Sequence, residues 1–243
     1  MNNNEYIIVV KDLNKSFGNQ QVLENINFSL KKNDNLVILG RSGTGKTVLL
    51  KCIIGLIKPD KGEVIIYNNP IFKLDNNKLR NIRKKIGFVF QNAALFDYFT
   101  VYENLKFLLD RNFFDMNDDE KHAHIMSILE KVGLEKSYTK YPEELSGGMK
   151  KRAGIARALI LNPEIVLYDE PTAGLDYYTS LEISKLIKNL KDYHNTSSII
   201  VTHDLKCAEI TADKVMVLSK KNIIFEGLFN EFMDIADKIF SNG

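Results

Sequence analysis

One eight-residue stretch constrains this chain more than any other. Gly40-Arg41-Ser42-Gly43-Thr44-Gly45-Lys46-Thr47 follows an apolar run, Leu36–Leu39, and opens a second one of helical character, Thr47–Ile57. Glycines let the backbone curl so that successive N–H groups point inward, and a helix N-terminus adds partial positive charge at the same place. Strand, curled turn and helix in that order form a phosphate cradle of the α/β kind. The rest of the chain agrees. Short apolar runs alternate with amphipathic helical patterns, and strands are expected at Ile7–Val10, Leu36–Leu39, Val64–Tyr67, Gly87–Phe90, Ile165–Tyr168, Ser198–Val201 and Lys214–Ser219. Several are apolar throughout, as strands covered on both faces are.

The cradle predicts binding of ATP or GTP with Mg²⁺. Gly40, Arg41, Ser42, Gly43, Thr44, Gly45, Lys46, Thr47 and Val48 make up the nucleotide-binding set. Lys46 places a full charge near the β- and γ-phosphates, and the Thr47 hydroxyl is suited to Mg²⁺. A second apolar strand, Ile165–Tyr168, ends in Asp169 and Glu170. Charge at the end of a buried strand is costly without a partner, so it marks a site. Side chains alternate along an extended chain, so the two carboxylates diverge. One can serve Mg²⁺ while the other faces the γ-phosphate; by analogy with P-loop enzymes Asp169 is the metal partner, and Glu170 is then the base that orients and deprotonates water. His203 ends a third core strand and is expected to donate to the γ-phosphate. Gln91 follows a fourth and completes the Mg²⁺ shell or holds the water. His122, His124 and His194 are read as solvated.

Composition narrows the function classes. The 33 basic and 31 acidic side chains of the 243 residues leave +2, no strong electrostatic footprint for nucleic acid, although a local basic patch is compatible with that balance. Cys52 and Cys207 form no CxxC pair and read as buried free thiols. No apolar run approaches the ~20 residues that span a bilayer, and the N-terminus lacks the pattern of a signal peptide. Between Thr100 and Leu161 no strand is expected. A helix should start at Asn117 with Glu120 as its capping box, bury Ile125, Ile128, Leu129 and Val132, and stop at Gly133. This gives one domain over 1–243, with an α/β core from 1–99 and 162–243 and an inserted helical sub-domain from 100–161. Leu228–Phe240 reads as an amphipathic helix whose stripe Phe229, Phe232, Ile235, Ala236 and Ile239 is a packing face.

Taken in order, GRSGTGKT, Gln91, LSGGM, IVLYDEP, AGLD and His203 make the chain similar to the ATP-binding subunits of ABC transporters. The similarity runs from KDLNKSFG to the tail. It implies a P-loop NTPase (RecA-like) core with a helical insertion, ATP hydrolysis, and ATP and Mg²⁺ as cofactors. It makes Phe17 the residue that stacks on adenine, a buried core position being the alternative. Ser146, Gly147 and Gly148 match the family's signature motif, in which Ser146 and the Gly148 amide would grip the γ-phosphate held by a second copy, and Asp176 would lie in the loop crossing between copies. The implied partners are a homodimer mate and integral-membrane permease chains, at the cytoplasmic, inner face of the membrane. Leu95, Phe96, Tyr98 and Phe99 would form the permease-docking groove or belong to the core. Met149 in place of the usual Gln, GRSGTGKTVLLK, ALFDYFTVYENL and MKKRAGIARAL resemble the Mce/Mla-type ATPases of phospholipid transport, which adds a lipid-binding substrate protein to the partners. The motifs equally suit an importer or exporter of another substrate, or a regulatory ATPase of the cell-division type.

Overall fold

The computed structural model of the protein describes residues 5–113 and 115–236, apart from the side chains of Asp192 and His194. β1 (Tyr6–Phe17) and β2 (Gln20–Lys31) form an antiparallel hairpin, and β3 (Asn35–Leu39) runs through the glycine-rich turn into α1 (Lys46–Ile53). β4 (Lys61–Ile66) returns beside β1, with the short β5 (Asn69–Pro70) paired to it. α2 (Asn76–Lys84) leads to β6 (Ile86–Val89). Three α-helices follow with no strand between them: α3 (Val101–Asn112), α4 (Asp118–Lys131) and α5 (Gly147–Leu159). The chain then alternates through β7 (Ile165–Asp169), α6 (Tyr177–His194), β8 (Ser197–Thr202), α7 (Leu205–Thr211), β9 (Lys214–Ser219), β10 (Asn222–Gly227) and α8 (Phe229–Met233).

Among the described residues the strands make two sheets, ordered β2-β1-β4-β5 and β10-β9-β3-β8-β7-β6. In the larger sheet every pairing is parallel except β10 on β9. β3, β7 and β8 are buried at every residue. Alternation splits their side chains between two cores. Val37, Leu39, Val166 and Ile200 join α3, α4 and α5, whereas Leu36, Ile38, Leu167 and Ile199 join α1 and the antiparallel sheet. Each fully buried aliphatic side chain contributes about 1.5–3 kcal/mol. The parallel strands therefore stay in register, and their C-terminal ends deliver Gly40, Asp169 and His203 to one edge.

All seven expected strands form, some longer than expected. β2, β5 and β10 were not anticipated: β2 intersperses its apolar residues with Asn, Gln, Lys and Glu, β5 is only Asn-Pro, and β10 has just three consecutive apolar residues, so cross-strand pairing makes them strands. α1 ends at Ile53, four residues before the expected Ile57. Asn117 and Glu120 form the anticipated capping box, and Ile125, Ile128, Leu129 and Val132 are fully buried. Gly133 follows at φ +69°. The tail helix is shorter than expected. α8 stops at Met233, Phe232 and Ala236 are buried as a packing face, and Ile239 and Phe240 lie outside the described residues. Both cysteines are buried, and burial raises each thiol to about 11.

Candidate functional site

Gly45 caps α1 at φ +99°, in the left-handed region that glycine tolerates. A β-carbon there would meet Val22 Cγ1 at 2.8 Å, so the turn sits hard against β2. The curl brings Lys46 inward. This lysine is 5% exposed, its Nζ donates to the Gly40 carbonyl at 2.7 Å and to that of Arg41 at 3.0 Å, and it pairs with Glu170 Oε1 at 3.0 Å. One residue on, the Thr47 hydroxyl donates to Asp169 Oδ1 at 2.8 Å. The expected divergence of the two carboxylates is thus realised, one facing Thr47 and the other Lys46.

Asp169 and Glu170 are both buried. Burial is the largest influence on Asp169 and raises its carboxyl above the ordinary 3.8, against the pull of the Thr47 hydrogen bond. Glu170 adopts φ +49°, an uncommon conformation for a side-chain-bearing residue, held by its N–H to the Val201 carbonyl at 2.9 Å. The turn aims its carboxylate across the sheet edge, where Oε2 lies 2.9 Å from His203 Nδ1 and accepts from the His203 N–H at 3.3 Å.

A cavity of about 360 Å³ opens here, lined by Val22, Ser42, Gly43, Gly45, Lys46, Thr47, Val48, Gln91, Glu170 and His203. Its base is a turn of backbone amides beside a buried ammonium, which suits phosphate. Thr47 and Asp169 offer only hard oxygen donors, and Gln91 lines the same cavity as Thr47. That set fits Mg²⁺ completed by phosphate and water oxygens better than an all-protein cage.

Other expected site residues lie elsewhere. Phe17, at the end of β1, is 49% exposed with Lys15 Nζ 5.2 Å from its ring centre, which rules out the core position for it. Ser146 caps α5, and Asp176 caps α6 by accepting from the Thr179 N–H at 3.0 Å. Neither lines the cavity, yet the two loops are brought together: a β-carbon on Gly148 would lie 2.5 Å from Thr179 Cγ2. Of the apolar residues expected in the docking groove or the core, Tyr98 and Phe96 are exposed, and Leu95 packs on the core. His122 is exposed, as expected. His124 is half-buried with Nε2 2.9 Å from the Ile160 carbonyl, a structural role that corrects its assignment as solvated. The side chain of His194 lies outside the described residues.

Two residues at the site escaped the sequence. Val22 comes from β2, an unrecognised strand. Lys151, buried in α5, shares a helical face with Gly148 and Ile155, and that spacing was the available signal.

A family model described as "ABC transporter" matches residues 23–173. The chain is 38% identical over 220 residues to the "Probable ribonucleotide transport ATP-binding protein mkl" of Mycobacterium leprae, covering 90% of this chain and 63% of that protein. The chain thus spans less than two thirds of this relative's length. It is 35% identical over 234 residues to the "Intermembrane phospholipid transport system ATP-binding protein MlaF" of Haemophilus influenzae, covering 96% of this chain and 88% of that one. Among solved structures, an ATP-binding cassette captured as a dimer with ADP and Pi in a post-hydrolysis state superposes with a TM-score of 0.83. It is 34% identical, over 91% of this chain and 98% of that one.

Proposed function

Because this chain belongs to the ABC transporter family, we propose that it is an ATP-binding and ATP-hydrolysing subunit that powers a separate membrane permease. The observation that carries this reading is the convergence of Lys46, the Thr47–Asp169 pair, Glu170 and His203 on one edge of the parallel sheet. In this reading the amides of the Gly40–Thr47 turn receive the phosphates of ATP. Lys46 supplies charge to the β- and γ-phosphates. Thr47, Asp169 and Gln91 would hold Mg²⁺, which when bound neutralises charge on the phosphate oxygens. Glu170 takes the proton of the attacking water, and His203 orients Glu170 and donates to the γ-phosphate. Phe17 stacks on adenine from the rim.

Ser146, Gly147 and Asp176 are exposed and do not line the chain's own cavity. We assign them, with Gly148, to the nucleotide of a second copy packed head to tail. Residues 100–161 then act as a helical sub-domain that moves on closure. The exposed Phe96 and Tyr98, beside a groove lined by Phe99, Glu103, Lys106, Phe107 and Asp110, offer the permease its seat.

Within the family we favour phospholipid as the substrate, with permease chains and a lipid-binding protein as partners at the inner face of the membrane. Met149, the ALFDYFTVYENL segment and the near end-to-end alignment with MlaF support that choice. Among the described residues no helix is long and apolar enough to cross a membrane.

The test is Glu170→Gln. Hydrolysis should fall at least about 100-fold while ATP binding persists, and sizing with ATP and Mg²⁺ should show a dimer. Normal turnover in that variant would remove Glu170 from its role, and a strictly monomeric variant, even with its permease, would end the shared-site reading. Reconstitution of the co-purified complex in vesicles, with ATPase rate and fluorescent-phospholipid movement as readouts, tests the substrate. Stimulation by a non-lipid solute alone would favour a different transporter.

A further inference from the structure

One buried cation has no part in the chemistry above. Lys151 lies in the second turn of α5 and is 6% exposed. Its Nζ donates to the main-chain oxygen of Gln91 at 2.7 Å and to that of Glu170 at 3.1 Å. Burial pulls its pKa down, while the charges of Glu170 and Asp169 pull it up. An ammonium is expensive to bury, and an apolar residue would fill this face of α5 at less cost. The lysine therefore needs a reason beyond packing.

Its two partners supply one. They are the backbones of the two residues assigned to the water and the metal, carried on different loops. Those loops are conformationally unusual: Glu170 has φ +49°, and Ala93 and Ala94, just after Gln91, have φ +58° and +51°. α5 grips the Gln91 loop at two further points along the same face. Gly154 lets Ala93 approach so closely that an added β-carbon would sit 3.0 Å from it, and Arg157 Nη1 donates to the Ala94 carbonyl at 2.5 Å. The helix that begins at Ser146 thus holds the loop of Gln91 and, through one lysine, the turn of Glu170. Lys151 is the only one of these three grips that reaches both.

We propose that Lys151 is a positioning residue that couples the N-terminus of α5 to Gln91 and Glu170 of its own chain, and so links two nucleotide sites. The inference rests on the head-to-tail dimer proposed above. In that assembly α5 meets the triphosphate bound by the partner, while Lys151 holds the chain's own base. A pull on α5 at one site shifts Glu170 at the other. Hydrolysis then depends on both sites being filled, which appears as positive cooperativity in ATP.

The test compares the wild-type chain with Lys151→Met, which keeps length but loses charge and donors, and Lys151→Gln, which keeps one amide donor. Steady-state hydrolysis against ATP concentration gives kcat and the Hill coefficient, and a fluorescent ATP analogue gives affinity. Wild type should be cooperative. Lys151→Met should lose about tenfold to a hundredfold in kcat, the scale of a roughly 1 Å misplacement. Its nucleotide affinity should stay within about twofold, and its Hill coefficient should drop to unity. Lys151→Gln should recover part of kcat. Should Lys151→Met not fold, Lys151→Gln carries the same comparison. Unchanged kcat or an unchanged Hill coefficient in a folded variant overturns the proposal, as does a parallel fall of kcat and affinity, the mark of a purely structural strut. A non-cooperative wild type whose Glu170→Gln form stays monomeric sinks the dimer reading and this proposal with it. A cooperative wild type matched by its Lys151 variants sinks this proposal alone.

Discussion

At the scale of single residues the site trades stability for chemistry. Asp169 ends a strand that is otherwise apolar, and its carboxyl is held above the ordinary 3.8 mainly by burial. The folded protein therefore holds that proton more tightly than the unfolded chain does. Stability from this group is greatest below the ordinary value, falls as pH rises through the raised one, and stays lower at neutrality. Removing the charge should remove that cost. Asp169→Asn, melted without nucleotide at neutral pH, should unfold above wild type by about 2–4 °C for each kcal/mol regained. Phosphate-release assays should show the same variant losing Mg²⁺-dependent turnover, because a neutral amide is the poorer ligand for a hard cation. A melting point below wild type would mean that the ionised carboxylate, through Thr47, supports the fold.

At the scale of elements, α3 owes its position to one buried amide. Asn104 is fully buried; its Oδ1 accepts from the Phe96 N–H at 2.8 Å, and its Nδ2 reaches the carbonyls of Phe96, Phe99 and Thr100 at 3.2, 3.0 and 2.9 Å. Thr100 then starts the helix with a complete capping box through Glu103. The loop presenting Phe96 and Tyr98 is thereby fixed from beneath by its own helix. Asn104→Ala strands those backbone groups and should cost about 3 kcal/mol, near the upper end for buried unsatisfied groups. Hydrogen exchange should accelerate in residues 96–100 and leave β3, β7 and β8 protected. Uniform acceleration across the sheet would instead assign Asn104 to global stability. The sequence disclosed the helix and its cap, since both are local. It did not disclose the loop's anchoring, which needs a side chain eight residues away to fold back on Phe96.

At the scale of the molecule, most of the groups expected at a nucleotide fall into two sets. One set lines the cavity of its own chain; the other, Ser146, Gly147, Gly148 and Asp176, gathers around the N-termini of α5 and α6. The proposed head-to-tail pairing would join the two. Ser146→Arg tests that division. It removes a helix cap, at a cost of about 1 kcal/mol, and places bulk and charge at the proposed junction. Turnover should vanish while the monomer's affinity for a fluorescent ATP analogue stays within about twofold. An equal loss of affinity and turnover would place Ser146 at its own chain's nucleotide and remove the reason for a partner.

The sequence by itself determined the phosphate cradle, the apolar strands that end in Asp169, Glu170 and His203, and the capped helix at Asn117. Each depends on residues adjacent along the chain, where backbone freedom, period and capping act locally. Tertiary structure alone decided which strands neighbour β3, that Val22 closes the turn, that Phe17 is exposed, and that Lys151 spans two loops. Those outcomes rest on contacts between residues far apart in sequence, and β2 and β10 are strands only because a neighbour completes their hydrogen bonds. Local pattern specifies the pieces of the site, and parallel pairing of the strands brings their ends to one edge.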